Sequence, residues 1–79
     1  MFINKAMDGR NNICGHKVTL FRVSLGLSQR GLADILQVNG LDVDKNVIQR
    51  IEAGKRFVTD IELLALSKAL QVSLTDLLE

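Results

Sequence analysis

Four polar side chains in the middle of the chain bring amide and cationic groups close together. They occupy positions i, i+1, i+4 and i+5 of one predicted helix and therefore share a face: Lys45, Asn46, Gln49 and Arg50. Asn and Gln can each form two hydrogen bonds with adenine, and Arg or Lys can bond guanine. Ile48 and Ile51 lie on the opposite face. The spacing indicates a DNA-recognition helix, although a solvated helix surface would carry similar residues.

Start and stop signals around this segment predict two short helices. Ser28 is a good N-cap for helix 2, and Asn39-Gly40 indicates its end. Asp44 caps helix 3, and Gly54 ends it. The segment from residue 27 to 54 is thus predicted to be a helix-turn-helix.

The remaining segments predict three more helices and an all-α fold. Helix 1 is expected from about residue 14 or 16 to residue 25, where Gly26 ends it. Helix 4 opens with a capping box of Thr59 and Glu62, and a short helix 5 covers residues 73–78. Phe57 and Val58 are expected to anchor the connection before helix 4.

Length and composition are those of one small globular domain. The chain has 79 residues, 47% of them hydrophobic, and no Pro. Residues 1–12 show no sustained period, and residues 1–14 are interpreted as a flexible N-terminal arm, with the helix-turn-helix domain over residues 15–79. No apolar run approaches the roughly 20 residues of a membrane span, and no signal peptide is evident. We expect a cytoplasmic protein without a membrane partner.

Charge is distributed unevenly along the chain. The net charge is only +1, yet residues 1–56 hold nine Lys/Arg against five Asp/Glu, and residues 57–79 hold one Lys against four acids. A basic front and an acidic back would orient the domain on a polyanion. Ordinary solvated charges remain the alternative.

Catalytic and metal chemistry find little support. Cys14 and His16 form a C-x-H pair, but the sequence has no other Cys or His to complete a zinc site. We also find no nucleophile with a base, no phosphate loop and no evident small-molecule site. The sequence predicts neither an enzyme, a metal nor a cofactor.

Three segments in order resemble the lambda repressor/Cro family, also called xenobiotic-response-element-type regulators. They are R-x-x-x-G-L-S-Q-x-x-L-A (residues 22–33), I-x-x-I-E-x-G-K-R (48–56) and L-x-x-L-x-x-x-L-x-V-S (63–73). The resemblance covers roughly residues 16–78. It implies a five-helix lambda-repressor-like DNA-binding domain that regulates transcription, commonly as a repressor and as a homodimer on a palindromic operator.

The resemblance also implies roles for individual residues. The polar face of helix 3 would contact bases. DNA phosphates would be contacted by the start of helix 2 and by the residues after helix 3, namely Ser28, Gln29, Lys55 and Arg56. Arg22 and Glu52 each lie on an apolar helix face, where a lone charge is costly, and the family implies a partly buried ion pair between them.

The connection between helices 2 and 3 departs from the family pattern. The interval from Ala33 to Ile48 is 15 residues, against roughly ten in the simplest motif. It resembles a branch of small bacterial regulators with a G-L-D-x-D loop. Leu41 and Val43 are expected to attach the loop (residues 37–43) to the core, and a DNA or protein contact by the loop stays open.

Two functions from different classes therefore compete. The first is a sequence-specific DNA-binding regulator that dimerises through helix 4, helix 5 and the C-terminal leucines. The second is a protein-interaction module, or an antitoxin-type partner, that keeps the fold with weak or no DNA binding. The low net charge, the altered turn and the surplus of C-terminal leucines favour the second, whereas the polar, basic face of helix 3 opposes it.

Overall fold

Five helices make up the fold. The computed structural model describes residues 5–79 and has no strand in that range. The helices are α1 (Gly15–Ser24), α2 (Gln29–Val38), α3 (Lys45–Glu52), α4 (Asp60–Leu70) and α5 (Leu74–Leu78). The predicted all-α architecture and the order of its elements are confirmed. Residues 1–4 of the expected arm lie outside the described residues.

Side-chain caps explain where the helices after α1 begin. The Ser28 hydroxyl accepts a hydrogen bond at the start of α2, and the Asp44 carboxylate does so at the start of α3. The capping box of Thr59 and Glu62 is confirmed at α4, and Ser73 forms a second capping box at α5. These interactions satisfy amides that a helix leaves without an internal partner.

One hydrophobic core receives side chains from every helix. Its largest fully buried members are Val18, Leu32, Leu36, Ile48, Ile51, Leu66, Leu70 and Leu77. α3 packs against α1 and α2, while α4 packs against α1, α2 and α5. α3 therefore lies on one side of the domain, with its apolar face turned inward.

The connection from α3 to α4 differs from the expectation at one residue. Val58 packs against the core as predicted, but Phe57 is 55% exposed and does not anchor the segment. The segment is also held by polar contacts, because the Lys55 and Arg56 carbonyls within it accept hydrogen bonds from the side chains of Asn11 and Asn12. Within residues 5–79, no helix has the length and hydropathy that a membrane span requires.

Candidate nucleic-acid interface

The outer face of α3 presents the polar residues that the sequence singles out. All four predicted base-reading side chains are exposed: Lys45, Asn46, Gln49 and Arg50. Ile48 and Ile51, one helical turn or less away, are fully buried. α3 thus turns its two isoleucines inward and a donor-rich polar face outward.

The long connection between α2 and α3 is ordered by its own contacts. Val43 is buried and Leu41 packs against the core, as the alternation with Asp42 and Asp44 predicts. The amide side chain of Gln37 donates to the Val43 carbonyl at 2.6 Å. Asp44 Oδ1 accepts from the Val47 amide at 3.0 Å, so the last residue of the connection is also the cap of α3. The extra residues therefore form a defined spacer that determines where α3 begins.

The structure brings Arg22 and Glu52 together between α1 and α3. Arg22 donates through Nε to Glu52 Oε2 at 2.7 Å and through Nη2 to Oε1 at 3.1 Å. Their side chains are only 14% and 8% exposed. Arg22 also donates to the Leu27 carbonyl at 2.8 Å. This bond connects the turn between α1 and α2 to the ion pair. Glu52 therefore belongs to the scaffold beneath α3 and not to its polar face.

Glu52 is held in its charged form by its donors. Burial by itself would raise the pKa of the carboxyl group, but the hydrogen bonds from Arg22 and Gln29 and the charge of Arg22 together outweigh it. The pKa of Glu52 consequently lies below its ordinary value. The ion pair stays intact at neutral pH.

The start of α2 combines a cap with a second contact to this network. Ser28 Oγ accepts from the Gly31 amide at 2.8 Å, and Gln29 Nε2 donates to Glu52 Oε1 at 3.1 Å. An amide nitrogen carries two hydrogens, so Gln29 has a second donor beside the one that Glu52 uses. Gln29 is thus fixed in direction by the same carboxylate that pairs with Arg22.

The two basic residues after α3 have different surroundings. Lys55 is exposed, whereas the Arg56 side chain is 30% exposed and donates through Nη1 to Glu62 Oε1 at 2.8 Å. The hydrogen bond from Arg56 is the main reason why the pKa of Glu62 lies below its ordinary value. Glu62 also accepts from the Thr59 amide, so the capping box and the ion pair share one carboxylate. The sequence does not predict this pair, because its formation depends on how α4 packs against the segment after α3.

The sequence does not predict the positions of residues 10–12 and Arg30 near α3. Residues 10–12 lie against the C-terminal end of α3, where the sequence predicts an arm; Asn12, at 9% exposed, donates to the Ile51 carbonyl at 3.0 Å. Arg30 is exposed on α2 and lines a notch of about 220 Å³ that Lys45 also lines. Arg30 directly follows Gln29, and that adjacency is the only sequence signal for it.

Cys14 is a buried thiol at the start of α1. Burial raises its pKa, which favours the neutral thiol over the thiolate. His16, its partner in the C-x-H pair, is exposed. No group of three His, Cys, Asp or Glu residues within residues 5–79 is arranged to hold a metal ion.

Comparison with known proteins defines the class to which this fold and surface belong. A family model described as helix-turn-helix matches residues 20–77, most of the chain. The chain belongs to this helix-turn-helix family, in its lambda-repressor or xenobiotic-response-element type. The predicted resemblance is therefore confirmed. The general function of the chain is that of a DNA-binding transcription regulator. None of the curated proteins compared with the chain matches it.

Solved structures of three regulators resemble the domain closely. The restriction-modification controller protein C.AhdI from Aeromonas hydrophila is 28% identical, with a TM-score of 0.71 over 81% of this chain and 86% of that one. The P22 c2 repressor, solved with a synthetic operator, is 29% identical, with a TM-score of 0.73 over 86% and 96%. The clp gene regulator ClgR from Corynebacterium glutamicum is 25% identical, with a TM-score of 0.74 over 86% and 67%.

Proposed function

We propose that the chain is a sequence-specific, repressor-like transcription regulator that places α3 in the major groove of its operator. The observation that carries the proposal is the separation of residues on α3, whose four polar side chains are exposed while Glu52 is withdrawn into an ion pair. An acidic side chain on the outer face would repel phosphates. Because Glu52 points away from this face, the face carries only amide and cationic donors.

Each residue of this face has a chemistry that suits base edges. Asn46 and Gln49 can each bond the N6 and N7 groups of adenine, and Arg50 can bond O6 and N7 of guanine. Lys45 lies at the first turn of α3, beside the Asp44 cap. We propose these four residues as the base contacts.

Phosphate contacts are proposed on both sides of the recognition helix. Ser28 and Gln29 lie at the start of α2, where free backbone amides favour an anion. Lys55 offers an exposed ammonium group, and Arg56 offers the guanidinium hydrogens that Glu62 does not use. Such contacts supply salt-dependent affinity without reading sequence.

A homodimer on a palindromic operator completes the proposal. Leu77 belongs to the core, but Leu74 and Leu78 on α5 are exposed, as are Ile61 and Leu64 on α4. A second copy that covered this surface would place two α3 helices on half-sites about one helical turn of DNA apart, roughly 34 Å, or a multiple of it. The exposed leucines support the dimer through α4 and α5.

A protein-interaction module is the second candidate function. Val38 is 86% exposed and lies beside the half-buried Ile35 on α2, and Ile61 is 70% exposed and lies beside the exposed Leu64 on α4. An apolar surface of this kind would suit a protein partner. It lies on α2 and α4 and therefore does not compete with the polar face of α3.

Titration with mixed duplex DNA separates the two functions. A DNA-binding regulator binds random duplexes at low salt, and its affinity falls steeply as salt rises, because each phosphate contact releases counterions. An interaction module shows no salt-dependent binding. Fluorescence anisotropy of a labelled duplex at several salt concentrations measures both properties, and no binding at the lowest salt refutes the proposal.

Paired substitutions distinguish base contacts from phosphate contacts. We expect Arg50→Ala to lose roughly 1–3 kcal/mol on the preferred operator and to relax the preference at one base pair. We expect Lys55→Ala to weaken all duplexes by similar factors and to reduce the salt slope by about 1. Equal losses on operator and random DNA for Arg50→Ala would remove it from the base-reading set.

A further inference from the structure

Residues 10–12 make a dense set of hydrogen bonds to the end of the recognition helix. Arg10 Nη2 donates to the Glu52 carbonyl at 2.8 Å, and the Asn11 amide donates to the Gly54 carbonyl at 2.8 Å. The side chains of Asn11 and Asn12 donate to three more carbonyls, at 2.8–3.0 Å: Ile51, Lys55 and Arg56. Five backbone acceptors between residues 51 and 56 thus receive donors from three consecutive residues.

Most of these acceptors need outside donors because of where they lie. The Ile51 carbonyl already accepts from the Gly54 amide at 3.0 Å, so Asn12 is its second donor. The last carbonyls of a helix have no partner within it, and those of the following turn have none from a strand. Gly54 is buried, so water does not readily replace a missing donor there. Residues 10–12 therefore determine the path of the backbone that leaves α3.

Asn12 also joins this path to α1. Its Oδ1 accepts a hydrogen bond from the Gly15 amide at 2.9 Å, at the start of α1. Its Nδ2 donates to carbonyls on both sides of Gly54, those of Ile51 and Arg56. One buried amide side chain therefore links the N-terminus of α1 to the C-terminus of α3.

Arg10 lies directly against Gly54. A Cβ atom at Gly54 would be 2.5 Å from Cζ of Arg10, so a larger residue there would displace the guanidinium group from its present position. The cation lies at the C-terminal end of α3, where the helix dipole favours positive charge. It also stands beside the backbone that carries Lys55.

We infer that residues 10–12 form a clasp that positions the end of α3, with Arg50, and the turn bearing Lys55 for DNA recognition. The inference rests on the proposed function, because it assigns a part of the N-terminal segment to the same interface. Arg10 acts as a positioning residue: its guanidinium group donates to the backbone carbonyl of Glu52. The clasp makes the operator affinity depend on residues outside the helix-turn-helix.

The test compares Arg10→Ala with Lys5→Ala in the full chain. Both variants remove one positive charge from the N-terminal segment, and Lys5 is exposed. Affinities for a selected operator and for random duplex are measured at several salt concentrations, at a temperature where circular dichroism shows every variant folded. Arg10→Lys, which keeps a donor for the Glu52 carbonyl, serves as the rescue variant.

A positioning role predicts a loss of specificity. Relative to Lys5→Ala, Arg10→Ala should weaken operator binding roughly tenfold, the effect of one charged hydrogen bond, with no further loss on random DNA. Arg10→Lys should recover most of the loss. Asn11→Ala, which removes only the bond to the Lys55 carbonyl, should lower the operator-to-random ratio in the same direction by a smaller factor; it also replaces Arg10→Ala if that variant does not fold.

Three results would overturn the clasp. Equal losses on both DNAs with a salt slope reduced by about 1 would make Arg10 a direct phosphate contact. A lower melting temperature with an unchanged affinity ratio would make residues 10–12 a stability element alone. Failure of Arg10→Lys to recover binding would exclude the carbonyl contact as the cause. Absence of DNA binding by the wild-type chain would refute the proposed function itself. The same titration measures wild-type binding, so this outcome is distinguishable from failure of the clasp.

Discussion

At the scale of single residues, Glu52 connects three helices: α1, α2 and α3. Its carboxylate accepts hydrogen bonds from Arg22 on α1 and Gln29 on α2, while Glu52 itself is the last residue of α3. Three helices therefore meet at one charge that is 8% exposed. Removing that charge leaves the Arg22 guanidinium partly buried without its anion, and this is the costly state of a broken buried pair.

We expect Glu52→Gln to lower the free energy of unfolding by about 3 kcal/mol at neutral pH. The glutamine has nearly the same shape, so the loss reports the charge and its hydrogen bonds. Urea unfolding measures the change, with Asp34→Asn as the control because Asp34 is an exposed acid on α2. A loss no larger than that of the control would show that the pair does not hold α3.

The same variant should respond differently to acid. Because the pKa of Glu52 is lowered in the folded state, its contribution is present above the unfolded value of about 4.5 and is lost as pH falls through the folded pKa. The stability gap between wild type and Glu52→Gln should therefore be largest near neutral pH and shrink below about pH 4.5. A constant gap down to pH 2 would contradict the assignment.

At the scale of elements, the position of α3 depends on both of its ends. The N-terminal end is determined by the α2–α3 connection, where Val43 is buried and Asp44 caps the helix. The C-terminal end turns at Gly54, whose φ is +76°, and the Lys55 amide returns to the Arg50 carbonyl at 3.0 Å. Both ends are thus defined by contacts that leave the outer face of α3 untouched.

A pair of glycine substitutions tests the packing at the second end. Gly54 and Gly26 have similar φ values, +76° and +72°, but only Gly54 faces Arg10; a Cβ at Gly26 would meet no atom within 4 Å. We expect Gly26→Ala to cost roughly 1–2 kcal/mol from backbone strain alone. Gly54→Ala should cost at least about 1 kcal/mol more in urea unfolding, because the guanidinium group must move. Equal losses of unfolding free energy in the two variants would mean that the Arg10 side chain moves aside at no cost.

The elements follow from local sequence signals, whereas the attachments between them do not. Ser28, Asp44 and Thr59 predict the helices that they cap, because a cap accepts hydrogen bonds from amides only two or three residues away. The contacts of Arg10 and Asn12 with residues 51–56 span about 40 positions, and no local pattern encodes such a pairing. Arg56 illustrates the same limit: its type suggests a phosphate contact, but its ion pair with Glu62 depends on how α4 packs.

At the scale of the whole molecule, apolar side chains remain exposed on α4 and α5, where the proposed dimer would form. Leu78→Asp should weaken self-association at least about tenfold, because a carboxylate would be buried between two copies. Val23→Asp, at an exposed apolar site on α1, is the matched control. Sedimentation equilibrium checks the prediction against a monomer mass of 8.7 kDa. A wild-type chain that stays monomeric in solution and on operator DNA would contradict the proposed dimer.

Selection of bound sequences from random duplex DNA tests the central claim most directly. The claim requires that the exposed face of α3 binds DNA and discriminates between bases. It also requires that a dimer applies two copies of this face to two half-sites. We predict enrichment of a two-fold symmetric sequence whose half-sites lie about one helical turn apart, and loss of the preference at one position per half-site in Arg50→Ala. A pool that stays random after selection at low salt would contradict the account.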